Sequence, residues 1–445
     1  MSIEVRQITH ALRSAWQIAA MRIGSFLLLG RNCKVQRVPF SVRLRLSNPR
    51  NAMHIDFSDE QEQLRKQLRS YFTDLMTPET RDALNGPGGE YGDPDVYRKI
   101  VRTLGRDGWL TLGWPEEFGG QNRPTMDQLI FNDEAAAAGV PFPFLTVNTV
   151  GPTIMRFGTP EQKAFFLPRI AKGELHFSIG YSEPEAGTDL ASLRTRAVSE
   201  GDEFVINGEK AWTSLIEYAD FIWLAARTDP DATRHRGVSI LIVPTTAPGF
   251  SWSKIHTMAG PGTSATFYDN VRVPVANVVG ELNAGWPLIT NQLNHERVAL
   301  TSAAPLQESL RQVWEWAETA TRADGSRVID SEWARLHLAR VHAHIEYLKL
   351  RNWRIAWAAD SGELHPADAS ATKVFGTEFA TEAYRLLMEV LGTSSVVQQN
   401  SAGALLRGRI ERFHRSSLIL TFGGGTNEVQ RDIIAKTALG LPVTR

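Results

Sequence analysis

Residues 179–214 constrain this chain more than any other stretch. Ile179-Gly180-Tyr181-Ser182-Glu183-Pro184-Glu185-Ala186-Gly187-Thr188-Asp189 places short polar residues, one proline and a glycine directly after an apolar run. That is the pattern of a shaped loop at a strand end. Such a loop gathers backbone N–H groups and hydroxyls in one place, which suits a flat polar ring system or a phosphate. Further on the chain reads Phe204-Val205-Ile206-Asn207-Gly208-Glu209-Lys210-Ala211-Trp212-Thr213-Ser214. Asn-Gly between two apolar runs is a strong hairpin signal, because both turn positions need positive φ. The returning strand then carries Trp212 and two hydroxyls. A Gly/Pro loop on its own is most often an ordinary turn; the second stretch, following so closely, favours a binding role.

The 445 residues are enough for a large core and two or three domains. Lys and Arg number 48 against 49 Asp and Glu, so nothing in the charge points to nucleic acid. Cys33 is the single cysteine. A disulfide framework, a cysteine zinc site and a catalytic thiol are therefore not expected, and a reducing cytoplasm fits. G-x-G-x-x-G and P-loop motifs are both absent, so a dinucleotide here would not sit on a Rossmann fingerprint.

Residues 1–52 differ from the rest, with nine Lys/Arg against the single acid Glu4. Trp16 to Leu29 is mostly apolar but is interrupted by Arg22, too short and too charged for a membrane span. An Arg-rich, acid-poor start is also the composition of a targeting peptide. We read 1–52 as a basic extension, disordered or a mis-called start, ahead of a chain that begins at Met53.

From there the order is helices, strands, helices. Ser58-Asp59-Glu60-Gln61 has capping-box form, and Leu64, Leu68 and Phe72 recur at helical spacing. Further helices are expected over 94–106, 126–138 and 159–172. Short β-branched or aromatic runs begin near Phe177 and include 221–226, 238–243 and 267–273, which predicts a small antiparallel β domain. Long helices follow, one over 333–359 and a last one over 427–439, with Gly440 and Pro442 to stop it. His337, His342 and His344 suggest a metal at first sight. His342 and His344, however, are two apart on a helix and face different ways, so solvated or core histidines are the better account. The resulting division is 53–175 helical, 176–285 β and 286–445 helical.

The loop, the Asn-Gly segment and Trp212-Thr213-Ser214 together resemble the flavin-binding middle domain of acyl-CoA dehydrogenases. Met53-His54-Ile55-Asp56-Phe57 and Gly113-Trp114-Pro115-Glu116-Glu117-Phe118-Gly119-Gly120 resemble that family's N-terminal domain, so the likeness runs over about residues 53–445. It implies an α+β fold: an N-terminal helical domain, a middle antiparallel β domain holding flavin and acyl-CoA, and a C-terminal four-helix bundle. It implies FAD as cofactor. Ser182 would bond the pyrimidine edge, Trp212 would pack on the ring, and Ser214 would reach toward N5. Ile179, Tyr181, Gly187, Thr188, Thr213, Thr426 and Glu428 complete the implied cofactor contacts. Thr188, Gly424 and Arg297 are the implied substrate contacts.

The reaction needs a base for the α-proton, donors for the thioester oxygen and a hydride acceptor. In much of the family the base is the Glu of a Glu-Gly-Thr motif. Here Thr421-Phe422-Gly423-Gly424-Gly425-Thr426-Asn427-Glu428 puts Gly424 at that position. Asn294-His295-Glu296-Arg297 resembles the Glu-Arg pair that supplies the base in members specialised for branched or very long acyl chains. Glu296 is therefore the expected base, although a first-turn Glu can also simply favour the helix dipole. Gly424 would leave room for an α-branch, and its N–H could polarise the thioester.

Two further departures concern subunit contacts. The family's Arg-x-x-Phe-Gly is absent after residue 300, and its Gln-x-x-Gly-Gly falls on Glu389-Val390-Leu391-Gly392-Thr393. These groups normally complete a neighbour's flavin site. The combination resembles the base-bearing subunit of actinobacterial heterotetrameric acyl-CoA dehydrogenases acting on steroid side chains. That resemblance implies an α2β2 assembly with a paralogous subunit, a sterol-derived acyl-CoA substrate with an α-methyl branch, and an electron-transfer flavoprotein as reoxidant. A flavin monooxygenase on the same fold and a purely supporting subunit are the alternatives.

Overall fold

A computed structural model describes residues 55–85, 91–260, 262–299, 301–399 and 401–442, with the backbone alone over 293–299. The expectation for residues 1–52 lies outside the described residues.

The first helices follow their capping signals. Helix α1 (Asp59–Leu75) opens on a complete capping box, Ser58 accepting from the Gln61 N–H and the Gln61 side chain reaching back, and it buries Leu64, Leu68 and Phe72. After α2 (Pro78–Leu84), α3 (Pro94–Arg106) is capped by Asp93 and has proline in its first turn. Helix α4 spans Thr125–Ala138. A π-helical segment, Leu145–Val150, leads into α5 (Gly151–Phe157). Helix α6 (Pro160–Ala171) repeats the capping box with Thr159 and Gln162.

An eight-stranded sheet follows: β1 (Phe177–Gly180), β2 (Arg196–Glu200), β3 (Glu203–Lys210), β4 (Phe221–Arg227), β5 (Val238–Pro244), β6 (Phe250–Ile255), β7 (Thr263–Pro274) and β8 (Val278–Val279). The order is β6-β7-β3-β2-β4-β5-β8, with β1 on β4. Two expectations are corrected here. The sheet is mixed rather than antiparallel, because β1 runs parallel to β4 and β2 meets β4 in parallel through Arg196 and Arg227. Asn207-Gly208 is not a hairpin turn either. The chain turns six residues earlier, at Gly201-Asp202, where Gly201 takes φ 67°; Asn207 and Gly208 lie inside β3, where the register with β7 shifts between Ile206 and Gly208. Gly208 has φ 147°, and a Cβ there would stand 2.6 Å from Thr195 Oγ1. The positive φ that makes Asn-Gly a turn signal serves a β-bulge equally well, and the longer strand pairing on both sides decides for the bulge.

Strands β4 and β5 are buried on both faces. Trp223, Ala225, Ile240 and Ile242 join the core of the N-terminal helices, while Ile222, Leu224, Leu241 and Val243 pack against residues of β3 and β7. Beyond the sheet come α7 (Gly285–Ala299), α8 (Ala304–Thr319), α9 (Glu332–Asp360), α10 (Pro366–Leu391), α11 (Arg409–Ser417) and α12 (Asn427–Thr437). Leu310, Val313, Val341, Ile345 and Leu387 are among the residues that give the long helices their own core. The architecture is thus helical, β and helical, as expected. Among the described residues no helix is long and apolar enough to cross a membrane.

Candidate functional site

The loop after β1 stands on a buried ion pair. Lys210, fully buried at the end of β3, lies 2.8 Å from Glu183 and also donates to the Tyr181 carbonyl at 3.0 Å. Glu183 further accepts from the N–H groups of Arg194 (2.7 Å) and Thr195 (2.8 Å). Burial pulls the Lys210 ammonium down to about 8, with Glu183 opposing the fall. Burial works against the Glu183 carboxylate, but Lys210 and the two N–H donors outweigh it and hold the group below its ordinary value. Ser182, held between these anchors, has a half-buried side chain. The sequence reading missed Lys210 and Glu183; a lysine inside an apolar strand, following an acidic residue in a shaped loop, was the available signal.

Trp212 is bracketed in the same way. The Ala211 N–H donates to the Ser182 carbonyl and the Thr213 N–H to the Ser264 carbonyl, both at 2.8 Å. Between these bonds Trp212 takes φ 63° and its ring is 60% exposed. This corrects the expectation of a returning strand, since β3 ends at Lys210 and residues 212–214 form a loop. An aromatic residue held in the left-handed region costs on the order of 1–2 kcal/mol, so the neighbouring bonds impose it. Thr213, buried, lies 3.3 Å from the Thr266 hydroxyl, and Ser214 lies 3.1 Å from that of Thr263. Trp212 is therefore set beside the Ser182 loop, an outward-facing indole next to the half-buried Ser182 and Ser214, while the Thr213 hydroxyl is turned inward to Thr266. Gly187 and Thr188 are exposed, and a Cβ at Gly187 would meet nothing within 4 Å. These residues fit a flavin, with an aromatic face, hydroxyl donors and an open approach for the backbone.

Tyr181 is different. Its ring is buried, and its hydroxyl accepts from the Trp223 indole N–H at 3.1 Å and donates to Gln292 on α7. The phenol is committed to the protein interior, so any cofactor contact at this position would come from the main chain. Ile179, half-buried on β1, packs against the core.

The expected base lies on α7. Glu296 and Arg297 fall in the last turn of that helix and not, as expected, in its first, because the helix already starts at Gly285; their side chains lie outside the described atoms. Position 296 follows Gln292 by four residues and so shares its helix face one turn on.

The triple glycine is built around Lys373 on α10. This fully buried ammonium donates to the carbonyls of Thr421 (3.2 Å) and Gly425 (2.9 Å) and to Asn427 Oδ1 (2.8 Å). Gly424 and Gly425 take φ 64° and 90°. The Thr426 hydroxyl caps α12 by accepting from the Val429 N–H at 3.3 Å. Glu428 is exposed in the first turn, its carboxyl held below the usual range by the helix N-terminus and by Thr426. Glu389, where the resemblance expects Gln, lies 2.7 Å from His337 and also pairs with Arg385. His344 packs edge-on against Phe379 at 5.2 Å.

Models of the acyl-CoA dehydrogenase N-terminal, middle and C-terminal domains match residues 58–174, 178–271 and 283–439. Acyl-CoA dehydrogenase FadE26 of Mycobacterium tuberculosis is 67% identical over 397 residues, 88% of this chain and 99% of that protein. Acyl-CoA dehydrogenase FadE29 of the same organism is 45% identical over 395 residues, 88% and 99% of the two chains. Among solved structures, a chain of the ChsE4-ChsE5 complex from Mycobacterium tuberculosis is similar at 66% identity and TM-score 0.82, covering 88% of this chain and 100% of that one. A chain of the Tcur3481-Tcur3483 steroid ACAD is similar at 48% identity and TM-score 0.82, with the same coverage.

Proposed function

The chain belongs to the acyl-CoA dehydrogenase family, and on that premise we propose that it is the base-bearing chain of a flavin-dependent dehydrogenase that desaturates a sterol side-chain CoA thioester between its α- and β-carbons. The observation that carries this reading is the bond from Tyr181 to Gln292, which ties the helix of Glu296 to the loop of Ser182. FAD, when bound, supplies the hydride acceptor. Ser182, Trp212, Thr213 and Ser214 would hold it, with the main chain at Ile179, Tyr181, Gly187 and Thr188, and with Thr426 and Glu428 as further contacts. Glu296 takes the α-proton as general base. Charge that builds on the thioester oxygen is met by donors including the Gly424 N–H. With glycine rather than glutamate at 424, an α-methyl branch has room. Thr188 and Arg297 would contact the CoA ester.

The α2β2 reading draws on the heteromeric complexes among the similar structures. Within this chain, Glu389 is already paired with His337 and Arg385, which leaves it poorly suited to a neighbour's cofactor. A paralogous dehydrogenase chain would supply the missing groups, an electron-transfer flavoprotein would reoxidise the site, and the assembly would work in the cytoplasm. The test is Glu296→Gln in the co-expressed assembly. Flavin content should be kept while turnover falls by at least ~1000-fold, of the order general acid–base groups contribute. A variant that keeps full turnover overturns the assignment.

A further inference from the structure

Four buried side chains form one unbroken, one-way run of hydrogen bonds through the site. The Trp223 indole N–H donates to the Tyr181 hydroxyl at 3.1 Å, and that hydroxyl donates to Gln292 Oε1. Gln292 Nε2 donates to Thr149 Oγ1 at 3.3 Å, and the Thr149 hydroxyl donates to the Leu145 carbonyl. Trp223, Gln292 and Thr149 are fully buried, and Tyr181 is 8% exposed.

The indole end sets the direction of the run. Indole N–H can only donate, so the Tyr181 hydroxyl must pass its proton onward to an acceptor. The Gln292 amide therefore faces Tyr181 with its oxygen and Thr149 with its nitrogen. Turning the amide over would set NH2 against the Tyr181 hydroxyl and take away the oxygen that accepts its proton, a loss that buried polar groups tolerate poorly. The run joins β4, the loop after β1, α7 and the π-helical segment Leu145–Val150. π-helical turns inside helical regions are frequent at functional sites.

We propose that Tyr181, Gln292 and Thr149 are positioning residues that fix the register of α7 against the flavin loop, and through it the place of the base. The proposal rests on the reading of Glu296 as that base. Gln292 is one turn, about 6 Å, before position 296. Rotation or sliding of α7 at Gln292 is carried directly to that position. Misplacement of a reacting group by about 1 Å costs on the order of 100-fold in rate.

Tyr181→Phe removes only the hydroxyl, and Gln292→Met keeps the side-chain length without the amide. In the flavin-loaded assembly each should lower the rate of substrate α-proton exchange with solvent by ~10–100-fold, with flavin content and KM little changed. The double variant should be no worse than the poorer single one, because either change breaks the same run. Hydrogen-exchange mass spectrometry of the apo chain should show faster amide exchange over 285–299 in both variants, a readout independent of activity. Wild-type proton exchange together with wild-type protection of 285–299 in either folded variant overturns the proposal. Additive losses in the double variant also overturn it. A silent Tyr181→Phe beside an inactive Glu296→Gln would sink the positioning role alone, whereas an active Glu296→Gln would sink the base assignment.

Discussion

Trp212 holds its ring out to solvent from a backbone conformation that it pays for and does not profit from within the chain. At φ 63° and 60% exposure, its replacement by glycine should leave the stability of the apo chain within about 1 kcal/mol, since relief of strain and added chain entropy oppose each other. Flavin retention, read by absorbance after gel filtration, should fall clearly in the same variant; unchanged retention would remove Trp212 from the cofactor site. His176 makes a second prediction at this scale. Burial, helped by the Arg98 and Arg102 charges, pushes its imidazole down to about 4. Between pH 6.5 and 4 the unfolded chain binds more protons than the folded one, so this group's contribution to stability is present above that window and is lost as acid is added. The loss is about 3 kcal/mol at the lower end. His176→Phe should accordingly lose less Tm than the natural chain between neutral pH and pH 4, and equal losses would contradict it. Single residues were unevenly legible. Ser182, Trp212 and Ser214 were singled out only through the resemblance of their motifs to a known family. Tyr181 was assigned to the cofactor although its hydroxyl faces inward, because a tyrosine in a polar loop does not show which way its ring turns. Gln292 was missed, yet it continues the buried stripe of Leu288 and Ile289 on α7, and a glutamine on such a stripe must find partners.

Among the elements, capped helices were the most readable. The capping box read at Ser58 is local chemistry, as are the unread one at Thr159 and the proline in the first turn of α3, and local chemistry survives folding intact. The bulge in β3 was not readable, because Asn-Gly serves a turn and a bulge alike and only the partner strand decides. Gly208→Ala should cost about 2 kcal/mol, measured by chemical denaturation, since the new Cβ would strike Thr195. A neutral substitution would mean that the bulge relaxes freely. The turn before α12 is set by another element altogether. Lys373→Met would leave the carbonyls of Thr421 and Gly425 and the Asn427 side chain without their shared donor. A loss of about 3 kcal/mol is expected, and a loss below the error of the measurement would show that the triple glycine does not depend on Lys373.

For the whole molecule, the order of helices, strands and helices was legible because the period of the apolar pattern changes twice along the chain. How the three parts meet was not, because the contacts that join them, such as Thr146 with Phe177 and Gln162 with the carbonyls of Ala276 and Val278, are between residues far apart in sequence. Assembly belongs to this scale as well. Native mass spectrometry of the chain co-expressed with its paralogue should give a mixed tetramer with two flavins; a homotetramer with one flavin per chain would point to a self-sufficient enzyme. The measurement that bears most directly on the account as a whole is anaerobic mixing of the flavin-loaded assembly with an α-methyl-branched sterol side-chain CoA thioester, followed by mass spectrometry of the product. The account predicts bleaching of the flavin and a product lighter by two hydrogens. A flavin that stays oxidised with substrate bound, or a product that in air gains an oxygen atom instead, contradicts it.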